Sequence, residues 1–339
     1  MKILVTGGTG YIGSHTVVEL QKEGFEVIIV DNLSNSHANV VDQIEQISGI
    51  RPIFEEFDLT NVGKTNDFFN RYSDLKGIVH FAAYKAVGES VNDPLMYYRN
   101  NIGSLVNILE NMKTHKIDNL VFSSSCTVYG QPEILPVSEE SPILTAMSPY
   151  GNTKQISEEI INDTSNVTNI KAILLRYFNP IGAHESALIG ELPLGVPNNL
   201  VPFITQTAIG LRKQLSVFGS DYNTSDGTAI RDYIHVVDLA HAHVVAVQRM
   251  IEKKGKKKVE IFNLGTGNGF SVLEVINSFE NVSNEKLNYK IVDRRPGDVE
   301  IVYADTTFAN NELGWKAKKT LDEMMLSSWN WEKALATKK

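Results

Sequence analysis

The stretch Thr6-Gly7-Gly8-Thr9-Gly10-Tyr11-Ile12-Gly13 joins an apolar run, Lys2–Thr6, to a helical pattern, Tyr11–Glu23. Its glycines at 7, 10 and 13 suit a tight strand-to-helix turn, because glycine tolerates unusual backbone angles. Glycine also lets a bound pyrophosphate approach the backbone, and a helix N-terminus offers free N–H groups and a partial positive charge. The stretch therefore predicts a nucleotide-binding turn between the first strand and the first helix.

The rest of the first half alternates between apolar runs and helical patterns. Alternating strands and helices indicate parallel βαβ units with helices on both faces of one sheet. We therefore expect an α/β fold with a doubly wound parallel sheet of the Rossmann type. The other strands predicted for it are Glu26–Asp31, Gly77–Ala83, Leu120–Ser124, Ala172–Tyr177 and Val259–Leu264.

The regular alternation of apolar runs and helical patterns ends after residue 178. Asn179–Pro202 is rich in Pro, Gly and Asn and is predicted as loop, as is most of Val217–Ile230. We interpret residues 1–178 as a cofactor-binding domain, to which later elements near 236–264 return, with a helix predicted at Val237–Ile251. Residues 179–339 mainly form a smaller, mixed α/β substrate-binding lobe. A stripe of helical spacing near its end, Leu321, Met324, Met325 and Trp329, predicts a core-facing terminal helix.

Composition excludes several classes of protein. The chain has 339 residues, 42% of them hydrophobic, and a net charge of −8, which argue against disorder and against general nucleic-acid binding. A single cysteine, Cys126, excludes an internal disulfide and a cysteine-rich zinc site. The apolar run at the N-terminus is too short for a signal peptide, and no run reaches the roughly twenty residues of a membrane span. We expect a cytoplasmic protein without a membrane partner.

Asp31 ends the second predicted strand, at the separation from the glycine turn that dinucleotide-binding proteins use. Its carboxylate can accept both ribose hydroxyls of adenosine and would repel a 2′-phosphate. No basic residue follows in Asn32-Leu33-Ser34, so NAD is favoured over NADP. The alternative for Asp31 is a simple strand-end or capping role; its occurrence together with the glycine turn favours the cofactor.

A second group of residues has side chains that could form a catalytic site. Ser123-Ser124-Ser125 ends a predicted strand, and Tyr150 and Lys154 follow at i and i+4 on a helix that Ser148-Pro149 would cap and start. A phenol with a pKa of about 10 is a poor base, but a nearby ammonium and a cationic nicotinamide both favour the phenolate. A tyrosine and a lysine on an ordinary helix surface would show the same spacing. Their occurrence with the glycine turn and Asp31 favours a catalytic site.

The three-residue spacing of the glycines resembles the extended short-chain dehydrogenase/reductases, and within them the chain resembles the UDP-glucose 4-epimerase family. The motifs that carry this resemblance span nearly the whole chain. They are the glycine turn with Ser14-His15, Lys85-Ala86-Val87-Gly88-Glu89-Ser90, Ser123–Gly130, Leu175–His184, Pro197-Asn198-Asn199-Leu200 and Arg231-Asp232-Tyr233-Ile234-His235.

The resemblance implies a tightly held NAD, UDP-glucose and UDP-galactose as substrates, a 4-keto intermediate and a homodimer. It implies catalytic roles for Tyr150 as base, Lys154 and Ser125. It implies a cofactor site of Gly7, Gly10, Tyr11, Ile12, Gly13, Asp31, Asn32, Asp58, Leu59, Phe81, Ala82, Ala83, Lys85, Asn100, Ser123, Tyr150, Lys154 and Tyr177. The implied substrate site contains Ser125, Tyr150, Phe178, Asn179, Asn199, Leu200, Val217, Phe218, Arg231, Arg295, Asp298 and Val302.

One position bears on substrate range. In the family, the residue four positions beyond Asp298 walls the sugar pocket, and a small side chain there admits an N-acetyl group. That residue is Val302, so we expect activity on UDP-N-acetylglucosamine and its epimer. A slip of one residue along the strand would instead place Tyr303 in the wall, since successive side chains point to opposite faces.

Other interpretations are weaker. A sugar-nucleotide 4,6-dehydratase of the same family normally has Asp-Glu where this chain has Cys126-Thr127, and a non-catalytic NAD-binding regulator should lack Tyr150 or Lys154. His241 and His243, two apart on a helix, point to different sides, so no metal site is expected. Glu158-Glu159 is predicted as a solvated helix face, and Cys126 as a small packed residue.

Overall fold

The computed structural model describes residues 1–295 and 299–337. Its strands are Lys2–Thr6 (β1), Glu26–Asp31 (β2), Ile53–Glu56 (β3), Gly77–His80 (β4), Asn119–Ser123 (β5), Lys171–Tyr177 (β6), Asn179–Ile181 (β7), Leu215–Phe218 (β8), Ile230–His235 (β9), Val259–Leu264 (β10), Gly269–Ser271 (β11), Tyr289–Val292 (β12) and Ile301–Val302 (β13). Its α-helices are Tyr11–Lys22 (α1), Val40–Ser48 (α2), Val62–Arg71 (α3), Val87–Asn92 (α4), Pro94–Tyr97 (α5), Gly103–His115 (α6), Pro149–Val167 (α7), Leu200–Ala208 (α8), Val236–Ile251 (α9), Val272–Ser283 (α10) and Leu321–Thr337 (α11).

A seven-stranded sheet in the order β10-β6-β5-β4-β1-β2-β3 forms the centre, and every pairing in it is parallel. Successive side chains of β1 enter two different cores, as the pleat of a strand requires. Ile3 and Val5 pack in one core with residues of α1 and α9, while Leu4 packs in the other with residues of α3 and α6. This arrangement confirms the predicted doubly wound, Rossmann-type fold.

The smaller lobe contains sheets of its own. Strand β9 pairs in parallel with β7 and β13 and antiparallel with β11, and β8 pairs with β12. Helices α8, α10 and α11 cover a third core, where Met324 and Met325 are fully buried and Trp329 nearly so. The predicted core-facing terminal helix is therefore confirmed.

The prediction of loop throughout Asn179–Pro202 is wrong at both of its ends. Asn179–Ile181 is a strand because it pairs with Tyr233–His235, and a helix begins at Leu200. The strand predicted at Gly77–Ala83 is also shorter and ends at His80, after which the chain turns into the wall of a cavity at the end of the sheet.

The chain returns to the large sheet after β9. Helix α9 starts directly after His235 and packs on α1, and β10 pairs with β6 at the edge of the sheet. The division of the chain into domains near residue 178 stays a prediction. In the described part of the chain, no helix combines the length and apolar character that a membrane crossing needs.

Candidate active site

A cavity of about 1400 Å³ lies at the carboxyl ends of the central strands and reaches the smaller lobe. Ligands of open parallel sheets bind at this end, where the strand order reverses. The predicted site residues in its wall are Gly7, Gly10, Tyr11, Ile12, Gly13, Asp31, Asn32, Asp58, Leu59, Phe81, Ala82, Ala83, Lys85, Asn100, Tyr150, Lys154, Tyr177, Asn179, Asn199, Arg231, Arg295 and Val302.

The glycine turn is shaped so that side chains cannot enter it. Gly7 has a φ of +69°, and a Cβ atom there would lie 2.9 Å from the backbone nitrogen of Ala82. A Cβ on Gly13 would lie 2.2 Å from the carbonyl oxygen of Gly7. The turn therefore brings α1 against β1 and leaves bare backbone facing the cavity, as a bound pyrophosphate requires.

Asp31 lies at the end of β2 and is nearly buried. Its carboxylate accepts hydrogen bonds from the backbone N–H groups of Thr9, at 3.2 Å, and Leu33, at 2.9 Å. The hydroxyl of Ser36 donates to it at 3.3 Å. These bonds orient the carboxylate beside the glycine turn, where a ribose would lie.

A second carboxylate lies in the cavity wall close to Asp31. Asp58 accepts hydrogen bonds from the side chain of Asn32 at 3.0 Å and from Thr60. Burial by itself would raise the pKa of Asp58, but these bonds outweigh burial and lower it. Leu59 is buried beside it. Tyr11 donates through its hydroxyl to the carbonyl of Gly182 at 2.6 Å, which ties the glycine turn to the smaller lobe.

Tyr150 and Lys154 lie on the first turns of α7. Ser148 caps this helix by accepting the N–H of Gly151, and Pro149 is its first residue, as predicted. The ammonium of Lys154 donates to the carbonyl of Ser123 at 2.7 Å and lies 6.0 Å from the centre of the Tyr150 ring. The two side chains predicted to act together are therefore neighbours.

Burial dominates the electrostatics of this pair. It raises the pKa of Tyr150 well above its ordinary value, and a hydrogen bond with Ser125 opposes that rise. It lowers the pKa of Lys154 to about 8, while the carboxylate of Glu158 opposes the fall. Burial therefore favours the neutral phenol, whereas a positive charge beside Tyr150 favours the phenolate that can act as a base.

Two serines at the end of β5 form hydrogen bonds with the tyrosines of the site, Ser123 with Tyr177 and Ser125 with Tyr150. Ser123 donates to the hydroxyl of Tyr177 at 3.0 Å. The oxygen of Ser125 accepts hydrogen bonds from the N–H of Thr127 at 3.2 Å and from its hydroxyl at 2.9 Å. Ser123 and Ser125 are buried beside the cavity and are not in its wall. The wall contains Thr127 and the thiol of Cys126, which is partly buried and whose pKa burial raises to about 12.

The smaller lobe brings two arginines to the same cavity. Arg231 lies on β9 next to Val302 on β13, because the two residues are paired in register. The guanidinium of Arg295 lies 5.6 Å from the centre of the Phe218 ring. Two guanidinium groups in the wall of one cavity suit a diphosphate.

Besides Ser125, four of the predicted substrate residues do not line the cavity. Val217 and Phe178 are buried in two separate cores, Leu200 packs against the core of the smaller lobe, and Phe218 lies 40% exposed under Arg295. Contacts of Val217 with a nucleotide would therefore have to use its backbone. Asp298 lies outside the described residues.

Val302, and not Tyr303, faces the cavity. Tyr303 points to the other side of the strand, where a Cβ on Gly269 would lie 3.6 Å from its ring. The alternation along the strand thus leaves a small side chain in the wall.

The prediction for Glu158 is wrong, and Glu191 was not among the predicted site residues. Glu158 is not solvated: it is buried and forms an ion pair with Arg176, whereas Glu159 is exposed as predicted. Glu191 lines the cavity and accepts hydrogen bonds from Lys85 at 3.2 Å and Asn199 at 2.7 Å. Only spatial neighbours reveal either role, since local sequence gives no signal for them.

The histidines do not form a metal site. Over residues 1–295 and 299–337, no group of three or more His, Cys, Asp or Glu side chains is placed to hold a metal ion. His243 is buried in α9, bonds to the carbonyl of Leu239 and packs 4.6 Å from the Phe81 ring, consistent with a packing role.

Comparisons with known proteins show which family this chain is similar to. The family described as GDP-mannose 4,6 dehydratase matches residues 4–327. UDP-glucose 4-epimerase from Bacillus subtilis (strain 168) is 49% identical over 333 residues, which are 98% of this chain and 97% of that protein.

Two solved structures are similar over nearly their whole length. UDP-glucose-4-epimerase from Stenotrophomonas maltophila, with bound NAD and formylated UDP-arabinopyranose, has a TM-score of 0.96, 45% identity and full coverage of both chains. UDP-glucose 4-epimerase from Bifidobacterium longum, in complex with NAD⁺ and UDP, has a TM-score of 0.93, 45% identity and 98% coverage of both chains. Since the similarity in sequence and in fold extends over nearly the whole chain, the chain belongs to the UDP-glucose 4-epimerases of the extended short-chain dehydrogenase/reductase family.

Proposed function

We propose that this protein is an NAD-dependent isomerase that interconverts UDP-glucose and UDP-galactose through a transient 4-keto sugar. One observation carries the proposal. A single cavity is lined by the glycine turn with Asp31, by Tyr150 and Lys154, and by Arg231 and Arg295. A dinucleotide site, a proton acceptor and a diphosphate clamp thus share one cavity.

The residues present fit NAD. The glycine turn leaves bare backbone at a helix N-terminus, where a Cβ on Gly7 or Gly13 would collide with backbone. Asp31 offers a carboxylate for the adenosine ribose, and its charge disfavours a 2′-phosphate. NAD, when bound, supplies a hydride acceptor that returns the hydride in the same turnover.

The side chains of this chain divide the remaining work. Tyr150 takes the proton from the sugar O4 as C4 is oxidised and gives it back to O4 as C4 is reduced. Ser125 hydrogen-bonds the same oxygen, and Lys154 favours the phenolate. Arg231 and Arg295 hold the diphosphate, so that the sugar itself is held loosely and can present either face of C4.

Dehydration is disfavoured at this site. Removing water across C5 and C6 needs additional acid and base groups beside the sugar. Cys126 and Thr127 line the cavity, and they occupy the two sequence positions at which the dehydratases that the chain resembles have Asp-Glu. A neutral thiol and a hydroxyl do not supply that chemistry.

We extend the proposal to UDP-N-acetylglucosamine and UDP-N-acetylgalactosamine. The support is Val302, whose small side chain stands in the cavity wall. A homodimer is also proposed on the resemblance to the family, and sedimentation of the purified protein tests it. Cytoplasmic location stays a prediction, which cell fractionation tests.

Proton NMR of UDP-galactose incubated with the purified protein and NAD⁺ tests the activity. We expect conversion to a stable mixture with UDP-glucose. Tyr150→Phe should abolish it while keeping the fold, because the variant lacks only the hydroxyl. Tyr289→Phe, at an exposed position on β12, is the matched control and should keep full activity. A 4-keto-6-deoxy product, or an unchanged spectrum with the wild type, would contradict the proposal.

A further inference from the structure

Helix α7 carries a third ionisable side chain in line with its two catalytic ones. Tyr150, Lys154 and Glu158 follow each other at intervals of four residues, so they lie on one face of the helix. Tyr150 and Lys154 reach the cavity, whereas Glu158 lies one turn deeper and is nearly buried.

Glu158 is fixed by three charge-assisted hydrogen bonds. Arg176 on β6 donates to its two carboxylate oxygens, through Nε at 3.0 Å and Nη2 at 2.6 Å. The hydroxyl of Ser124 donates to it at 2.5 Å. The fork of the arginine fits the carboxylate in the geometry that gives the strongest such pairs.

Through Ser124, these hydrogen bonds connect Glu158 to the residues that bond to the catalytic side chains. Ser124 stands between Ser123, whose carbonyl accepts the ammonium of Lys154, and Ser125, which bonds to Tyr150. Arg176 also donates to the hydroxyl of Tyr129 at 2.9 Å, in the turn that follows these serines. The ion pair therefore joins α7 to β6 and, through its hydrogen bonds, to Ser124 directly after β5 and to Tyr129.

We propose that Glu158 and Arg176 form a positioning pair that holds α7 against β5 and β6 and keeps the ammonium charge of Lys154 beside Tyr150. The inference rests on the proposed function, since it assigns the pair a task in the same proton transfer. Glu158 and Arg176 touch neither the cavity nor a substrate; they act through Lys154.

The charges around Lys154 support this role. Tyr150 and Glu158 face it from α7 and His80 from β4, while Arg176 and Tyr177 lie on the strand β6 beside β5. Burial lowers the pKa of His80 to about 3 and raises that of Tyr177 to about 12, so both are neutral near pH 7. Of these neighbours, Glu158 and Arg176 are the charged ones, and the carboxylate of Glu158 favours the ammonium form of Lys154.

The pH dependence of kcat for the wild-type holoenzyme and for Glu158→Gln tests the proposal. Glutamine keeps the shape but removes the carboxylate and leaves the charge of Arg176. Lys154 should then lose its proton at lower pH. We expect the alkaline limb of the profile to move down by about one pH unit, the size of effect that one nearby charge has on a pKa.

A second buried pair, which does not line the cavity, provides the matched control. Arg249 and Glu260 form the same forked ion pair, at 2.8 and 2.9 Å, with similar burial, near the amino end of β10. Glu260→Gln should lower stability as much as Glu158→Gln but leave the pH profile in place. Glu159→Gln, on the exposed face of α7, should change neither.

Arg176→Gln keeps the proposal testable if Glu158→Gln does not fold. It leaves the carboxylate without its partner, so the alkaline limb should move to higher pH. Opposite shifts from the two variants cannot come from a general loss of stability. A Glu158→Gln or Arg176→Gln profile that coincides with that of the active wild type would overturn the inference, whereas an inactive wild type would overturn the proposed function instead.

Discussion

At the scale of single residues, Val302 is expected to set the substrate range. Because its side chain lies in the cavity wall, Val302→Tyr would fill the space available to an N-acetyl group. We expect kcat/KM for UDP-N-acetylglucosamine to fall at least tenfold, about 1.4 kcal/mol, with UDP-glucose turnover retained. Coupled assays with both UDP-sugars measure the ratio of kcat/KM for UDP-N-acetylglucosamine to kcat/KM for UDP-glucose. Tyr303→Phe, on the opposite face of the strand, should leave it unchanged; an unaltered ratio in Val302→Tyr would contradict the assignment.

Asp31 is the residue that should decide cofactor choice. Asp31→Asn keeps the shape but removes the charge that a ribose hydroxyl donates to, a bond worth about 1.5–3 kcal/mol. We expect NAD⁺ affinity to fall at least tenfold. The ratio of the dissociation constant for NADP⁺ to that for NAD⁺ should become smaller. Calorimetric titration with each dinucleotide measures both. Asp42→Asn, which alters only an exposed ion pair with Arg51, is the control; an Asp31→Asn variant that binds NAD⁺ as tightly as this control would refute the role.

At the scale of elements, the sequence predicts best what local pattern determines. Strands β1, β2 and β10 have the predicted ends, because their apolar runs are bounded by polar or glycine residues. Strand β7 escaped prediction because three residues around a proline have no periodicity, and only pairing with β9 makes them a strand. Glu158 was misjudged for the same reason: its burial depends on Arg176, which lies in a neighbouring strand.

The packing of α1 on β1 gives a prediction at this scale. Because a Cβ on Gly13 would lie 2.2 Å from a backbone oxygen, Gly13→Ala must push the helix away from the turn. We expect weaker NAD⁺ binding and a loss of stability of about 1–3 kcal/mol, in the range of overpacked sites. Chemical unfolding and NAD⁺ titration measure the two effects.

Gly63→Ala is the control for this substitution. Gly63 lies in α3 and is exposed, and a Cβ there would meet only a side-chain oxygen, at 3.5 Å. Alanine should stabilise that helix by roughly 0.5–1 kcal/mol. If Gly13→Ala behaved like Gly63→Ala, the close approach of helix and turn would not matter for folding or binding.

At the scale of the whole molecule, the site depends on both lobes. The glycine turn and Tyr150 belong to the large sheet, whereas Arg231 and Val302 are held side by side by the register of β9 and β13. Tyr11 joins the two parts by its bond to Gly182. Sequence motifs identified most of these residues, but their distances depend on crossings of the chain between sheets, which local sequence does not encode.

The buried histidines predict how the stability of the whole molecule depends on pH. Burial lowers the pKa of His15 and His80 to about 3 and that of His235 and His243 to about 4. Between pH 6.5 and 4 the unfolded chain takes up protons on these residues and the folded chain does not. The free energy of unfolding should therefore fall as the pH falls, by up to about 1.4 kcal/mol per pH unit for each histidine.

Urea unfolding at pH 7 and pH 5 measures this loss. His243→Gln removes one of the buried titrating groups, so the difference between the two pH values should shrink relative to the wild type. His37→Gln changes an exposed histidine and should leave the difference as it is. Equal stability of the wild type at both pH values would show that the buried histidines take up protons without unfolding, for instance because the clusters around them open to water.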